Sequence, residues 1–471
     1  MKKTKIVATL GPASASKEVL LSMIKEGVNV CRINFSHGTH EDHKKVVDLI
    51  RGINEETGFN VGILADLQGP KIRVGQIENN GIELVVGEKL TITTEECVGT
   101  TEKVYLNYSN FPKDVSVGDL LLLDDGKLKL EVLATDGNLN VETQIIHGGI
   151  LSSKKGVNLP NTKISMPSLT DKDKADLDFA LSCDVDWIGL SFVRSARDII
   201  ELKHIISSKQ KHAKVIAKIE KPEAIDDIDD IILETDAVMI ARGDLGVEVP
   251  MEKVPSLQKL IIKKCRKHAK PTIVATQMME SMIMNFAPTR AEVNDVANAV
   301  MDGADAVMLS GETSVGNHPI EVIKAMTKIV KEVEQVEEIY HKEELPQNNQ
   351  DRFITDSICF NAARLAQRVE AAGIITMTFS GYTAFKISSK RPRANTYVFT
   401  ENKNILTQLN LLWGVECFFY DKMVSTDHTI NDCKYILHKR GDLKKGDLVV
   451  NIASTPIEEK GQSNMVKLSY V

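Results

Sequence analysis

What this chain lacks narrows its function first. Its seven cysteines lie far apart and form no CxxC pair, which argues against a disulfide framework or a structural zinc site and fits a reducing cytoplasm. There is no basic stripe, and the net charge of -7 argues against a nucleic-acid surface. No long apolar run occurs. The N-terminal MKKTKIVATLGP carries lysines, but its apolar stretch is far too short for a signal peptide or a membrane span. No internal repeat or low-complexity segment interrupts the chain, and no G-x-G-x-x-G follows the first apolar run, as a dinucleotide-binding open sheet would require. What remains is an ordinary globular composition, 42% hydrophobic and 26% charged, at a length of 471 residues that calls for two or three domains.

The most informative stretch is Lys214 to Glu248. It reads as strand, helix, strand, with Ile225, Ile228, Ile231 and Ile232 at helical spacing between KVIAKIE and AVMIARG. Lys218 and Glu220 are two apart, so in a strand they share a side. Asp244 follows the next strand. Parallel neighbours would bring two carboxylates and an ammonium to one rim, and two hard oxygen ligands suit Mg²⁺ or Mn²⁺.

The same pattern recurs along the chain. KIVATLG, NVCRINF and VGILADL are three strands separated by helical stretches. From 70 to 166 helical periodicity vanishes and short alternating segments with Asp-Gly and Gly-Asp turns take over, an all-β insertion forming a small barrel or sandwich. Strand–helix alternation then resumes with DWIGLSF, KVIAKIE, AVMIARG, PTIVATQ and AVMLSG. Eight strands, each followed by a helix, predict a (β/α)₈ barrel over 1–69 and 167–340, with a lid domain inserted after the third strand. A polar linker, HKEELPQNNQ, leads to a C-terminal α/β domain over 352–471. In such a barrel the chemistry lies at the C-terminal rim. Arg32, Asn34, Ser36, Asp66, Arg73, Ser191, Arg194, Lys218, Glu220, Asp244, Thr276, Gln277, Ser310 and Glu312 all fall there.

CRINFSHG, DLQGPKIR, KKGVNLP, LSFVRSA, AKIE, ARGDLGVE, ATQMMESM, PTRAEVNDVANAVMDGADAVMLSGET and RPRA, in this order, resemble the pyruvate kinase family from Lys5 to the C-terminus. The resemblance implies phosphoryl transfer from phosphoenolpyruvate to ADP in a cytoplasmic homotetramer. It implies Arg32, Ser191 and Lys218 at the substrate, with Gly243, Asp244 and Thr276 at its carboxylate. The divalent metal, Mg²⁺ or Mn²⁺, falls to Glu220 and Asp244, and the nucleotide to Asn34, His37, Arg73 and Lys155. Protonation of the enolate falls to Thr276 or to a water near Ser310 and Glu312. Capping is the alternative for His37, Ser310 and Glu312, with Arg194 bracing Glu312. Many family members hold K⁺ near Asn34, Ser36, Asp66 and the carbonyl of the following residue, here Leu67, with Glu where this chain has Lys71. The resemblance therefore implies an ammonium in place of the ion and no K⁺ requirement. In the C-terminal domain Thr378, Ser380, Gly381 and Thr383 stand where the family binds a phosphorylated effector, with simple helix capping as the alternative. A metal-dependent lyase and a catalytically silent metabolite sensor are the competing classes. Arg73 and Lys155 weigh against the first, and the intact Arg32, Lys218, Glu220, Asp244 and Thr276 against the second.

Overall fold

The computed structural model describes residues 2–160, 162–342, 345–346, 352–422, 424–455 and 462–471. The expected linker, HKEELPQNNQ, lies mostly outside them. Strands β1 (Lys5–Thr9), β2 (Val30–Asn34) and β3 (Gly62–Asp66) alternate with helices Lys17–Glu26 and His40–Thr57. The first helix starts on a Ser16 cap and stops at Gly27. The inserted domain contributes β4 (Gly81–Leu84), β5 (Lys89–Thr93), β6 (Lys103–Tyr105), β7 (Leu120–Leu123), β8 (Leu128–Thr135), β9 (Asn140–His147), β10 (Gly149–Ser152) and β11 (Val157–Asn158). Then come β12 (Trp187–Leu190), β13 (Lys214–Ile219), β14 (Ala237–Ala241), β15 (Thr272–Ala275) and β16 (Ala306–Leu309). Strands β1, β2, β3 and β12 to β16 close a parallel eight-stranded barrel in that order.

Barrel strands buried on both faces need apolar residues on both, and β1, β3, β12, β14, β15 and β16 are buried throughout. Val7, Val30, Leu64, Trp187, Ile216, Met239 and Ile273 share one cluster, and the alternate residues pack with the surrounding helices. The two-residue period fixes what lies one layer further along the inward-facing row: Thr9, Arg32, Asp66, Gly189 and Lys218. The barrel's own register thus places the charges.

The lid has a separate core running from Ile72 to Leu159. Its ladders form a six-stranded sheet and a β4–β10 pair, and isolated bridges tie segment 73–74 to the chain beside both edge strands of that sheet, Arg73 to Gly156 next to β11 and Val74 to Leu106 next to β6. The C-terminal sheet comprises β17 (Gly373–Met377), β18 (Asn395–Thr400), β19 (Val415–Phe419), β20 (Leu448–Ala453) and β21 (Met465–Tyr470), in the order 19-18-17-20-21. The antiparallel β21 was not anticipated from sequence. One expected helix is two: Pro222–Asp226 and Ile228–Glu234 meet at Asp227, whose carboxylate accepts the Ala196 amide.

Candidate active site

Asp66 sits at the end of β3 and is almost fully buried. Its neighbour in register, Gly189, carries no side chain, and a Cβ there would lie 2.9 Å from Asp66 Oδ1. Small size at one strand thus makes room for charge on the next. Arg32 Nε donates to Asp66 Oδ2 at 2.6 Å, and Arg32 Nη1 donates to Thr9 at 2.9 Å. Nη2 makes no hydrogen bond among the described residues, which leaves an N–H edge for a ligand. Lys218 Nζ lies 2.7 Å from Ser191 Oγ, 3.1 Å from Glu220 Oε1 and 3.2 Å from Asp66 Oδ1. Burial alone would lower the Lys218 pKa, but Asp66 and Glu220 outweigh it and hold the ammonium at about 12. Burial alone would likewise raise Asp66, but Lys218 and Arg32 keep its carboxyl below the usual range. Lys218 is therefore a cation at neutral pH.

Glu220 follows β13 and accepts the Phe192 amide at 2.7 Å. Burial pushes its pKa up, Lys218 opposes the shift, and Asp244 reinforces it. Like charge between Glu220 and Asp244 is what a bound cation relieves. The inner group of Arg32, Lys218, Asp66, Glu220 and Asp244 has two positive and three negative side chains, an unwelcoming balance for an anionic substrate. A divalent cation reverses that sign. No group of three or more His, Cys, Asp or Glu side chains arranged to hold a metal occurs among the described residues, so a two-carboxylate site fits an ion that completes its shell from substrate and water.

Thr276 follows β15 with φ +70°, and Gln277 has φ +55°. A β-branched residue in left-handed backbone costs about 1–3 kcal/mol and persists only when its surroundings enforce it. Arg242 does so: Nη2 donates to the Thr276 carbonyl at 2.8 Å, while Nη1 and Nη2 grip the Asp295 carboxylate at 2.6 and 2.7 Å. The Thr276 hydroxyl accepts from the Gly243 amide at 2.8 Å. Thr276, Gly243 and Asp244 thus form one unit, and they line a cleft of about 1030 Å³ with Arg242, Asp295, Lys71 and the lid-tip residues Asp125 and Gly126. Sequence reasoning missed the Arg242–Asp295 clamp. Its one signal was a second charge inside ARGD.

Other expected residues fall less centrally. Ser191 is buried and donates to the Leu67 carbonyl at 2.7 Å, so that oxygen is already engaged. Glu312 is buried, with its oxygens on the Met279 and Ser310 amides at 3.2 and 2.7 Å. It ties two rim loops together, and Ser310, at the head of the short helix that follows, makes no side-chain cap hydrogen bond. Arg194 does not brace it, because its guanidinium donates to the Ile164 carbonyl of the lid's return strap at 2.6 Å. Gly69 turns the chain out of the barrel at φ +70°, where a Cβ would meet Phe192 and Ser191 at 2.9 Å, and its amide is anchored on buried Asp173 at 2.9 Å. That turn directs Lys71 beside Asn158, Lys221 and Asp244, and its ammonium makes no ion pair among the described residues. The side chain therefore lines the Asp244 side of the cleft and forms no hydrogen bond with Asn34, Ser36 or Asp66. The Asn34 side chain accepts from the Ser36 amide at 3.1 Å, and His37 is exposed at the end of β2. Arg73 lies against the Lys154–Gly156 turn, where Lys155 pairs with Asp124 at 2.8 Å. These are the two halves of the expected nucleotide set, one on the barrel and one on the lid. In the C-terminal domain Thr378 Oγ1 accepts the Gly381 amide at 3.1 Å, and Ser380 Oγ the Tyr382 amide at 3.4 Å. The buried Thr383 hydroxyl meets Ser463 at 3.2 Å.

Comparison with known proteins identifies the family. The family model for the pyruvate kinase barrel domain matches residues 1–323, and that for the pyruvate kinase alpha/beta domain matches 356–469. Pyruvate kinase of Geobacillus stearothermophilus is 43% identical over 474 residues, covering 100% of this chain and 80% of its own. That of Corynebacterium glutamicum is 44% identical over 465 residues, covering 99% of this chain and 97% of its own. A crystal structure of a pyruvate kinase from Cryptosporidium parvum matches with a TM-score of 0.91 at 34% identity, covering 100% of this chain and 96% of that one.

Proposed function

The chain belongs to the pyruvate kinase family and transfers the phosphoryl group of phosphoenolpyruvate to ADP, giving pyruvate and ATP, and from that premise we propose how its own residues divide the work. The observation that carries the reading is Lys218, kept cationic between Asp66 and Glu220 at the barrel rim. The divalent metal of the family, Mg²⁺ or Mn²⁺ here, would be held by Glu220 and Asp244 and would neutralise charge on the phosphoryl and enolate oxygens. Arg32 presents Nη2 to the phosphoryl group while Asp66 and Thr9 fix its plane. Lys218 supplies positive charge where the enolate develops, with no reorganisation at the moment of reaction. Ser191 holds the ammonium in place. The substrate carboxylate takes the position between Thr276 and the Gly243 and Asp244 amides, replacing the hydrogen bond that now joins Thr276 to Gly243. Asn34, His37, Arg73 and Lys155 receive the nucleotide when the lid, 70–166, closes on the barrel. Enolate protonation falls to Thr276 or a water near Ser310, since both Glu312 oxygens are taken by backbone amides. A homotetrameric cytoplasmic enzyme belongs to the same reading, and no helix among the described residues is long and apolar enough to cross a membrane.

This enzyme works without K⁺ if Lys71 supplies the fixed charge. Its ammonium is a compact point charge on a side chain that lines one pocket with Asp244. Pyruvate formation from phosphoenolpyruvate and ADP, in K⁺- and Na⁺-free buffer with Mg²⁺ and a bulky organic cation, should match the rate with K⁺ added. Lys71→Glu should then depend on K⁺. A wild-type enzyme nearly inactive until K⁺ is added refutes the assignment.

A phosphorylated metabolite is the effector expected at Thr378, Ser380, Gly381 and Thr383. Thr383→Glu, which puts a carboxylate beside Ser463, should abolish its activation while leaving basal turnover intact. A panel of sugar phosphates and AMP that neither binds nor changes the kinetics would reduce the turn to a helix cap.

A further inference from the structure

Glu248 ends the helix Arg242–Glu248 that carries Gly243 and Asp244 near its start. Its Oε1 accepts from two bodies at once. Asn158 Nδ2, on lid strand β11, donates at 2.8 Å, and Lys221 Nζ, on the residue after Glu220, donates at 2.6 Å. The Lys221 and Glu248 side chains are 7% and 1% exposed, and Glu248 Oε2 has no hydrogen-bond partner among the described residues. A buried ion pair with an empty acceptor is a poor stabilising device, because desolvation consumes most of its attraction. Its placement suggests another use. Lys221 and Asn158 line the same small pocket as Asp244 and Lys71, and the lid tip at Gly126 rests above Val247 of the same helix.

We propose that Glu248 is a positioning residue which couples docking of the lid, through Asn158, to the placement of the two metal carboxylates, Glu220 by way of Lys221 and Asp244 by way of their shared helix. The proposal rests on Glu220 and Asp244 being those carboxylates. With the lid docked, Glu248 is held from both sides. With the lid away, Glu248 keeps Lys221 but loses the Asn158 donor, so the ion pair that joins the helix to the Lys221 turn is no longer held from the lid side. Lid closure then completes the metal site as well as enclosing it.

The test uses full-length Asn158→Ala, Glu248→Gln, Glu248→Ala and the double variant Asn158→Ala/Glu248→Ala. Mn²⁺ binding is read by water-proton relaxation, alongside kcat, KM and the thermal midpoint. Loss of a group that orients metal ligands costs about 10–100-fold in affinity or activity. Asn158→Ala should weaken Mn²⁺ and lower kcat by at least about 10-fold without shifting the thermal midpoint. Glu248→Gln, which keeps an acceptor for Asn158, should recover part of what Glu248→Ala loses. The double variant should be no worse than Glu248→Ala, because both changes cut one connection. Additive losses, or losses that follow the thermal midpoint alone, overturn the coupling. Glu220→Gln runs in parallel. Wild-type Mn²⁺ binding by Glu220→Gln overturns the metal assignment and this proposal with it. Weakened binding there, together with wild-type behaviour of Asn158→Ala, overturns the coupling alone.

Discussion

Replacing Lys218 with methionine should cut phosphoryl transfer by at least about 10²–10³-fold and leave the protein assembled as before. Methionine keeps most of the stem's volume and discards the ammonium. The loss is large because the charge is preorganised: three oxygens fix Nζ, and burial strengthens its field on the substrate. Removing one partner from a buried charge group ordinarily destabilises by about 3–5 kcal/mol. Here Asp66 keeps Arg32, and Glu220 keeps the Phe192 amide. Circular dichroism and the thermal midpoint should therefore stay close to wild type while pyruvate formation collapses. A variant with near wild-type turnover would remove Lys218 from the reaction.

The second large effect is on stability. Arg391, after the helix Tyr382–Ser389, is 2% exposed and reaches into the barrel, where Nη1 and Nη2 meet the two Asp305 oxygens at 2.9 Å each. Nη2 also donates to the Gly303 carbonyl at 2.7 Å, and the guanidinium lies 5.0 Å from the Trp413 ring centre. A bidentate, stacked arginine has no equivalent substitute. Arg391→Met should leave Asp305 buried without its countercharge and cost about 3–5 kcal/mol, read as a lower urea midpoint. Adding Asp305→Asn should return part of it. An unchanged midpoint would mean that the barrel and the C-terminal domain hold together without this pair.

Much of this was legible before any coordinates. Apolar strands such as KIVAT and AVMIA announce a sheet buried on both faces, and the two-residue period then places Arg32, Asp66 and Lys218 together. The insertion showed itself by a change of period. What stayed hidden were polar partnerships between segments distant in sequence. Asp295 and Asp173 lie on helices where a carboxylate reads as solvated surface, yet one clamps Arg242 and the other anchors Gly69. Glu248 and Lys221 each flank a recognisable motif, and nothing in their spacing announces the contact between them. The reach of Arg194 to Ile164 depends on how the lid's return strap lies, which no local pattern records. Asp227 divides a helix whose apolar spacing is continuous, and its carboxylate accepts the Ala196 amide of a segment distant in sequence.

The seam between β3 and β12 has a further consequence, for the order of assembly. Leu64 pairs there with Trp187 across the whole inserted domain, whereas Val7 pairs with Val30 and Trp187 with Lys214 across single helices. Bringing positions 64 and 187 together through a disordered chain costs about 4 kcal/mol of loop-closure entropy beyond a constant. The insertion has its own core, and its two ends meet at the Arg73–Gly156 bridge. Once it has formed, the span still to be closed is only a few tens of residues. A lid folded on its own core would shorten this seam, by about 1 kcal/mol of closure entropy, and leave the β1–β16 closure, Lys5 to Ala306, as the longest-range pairing of the ring.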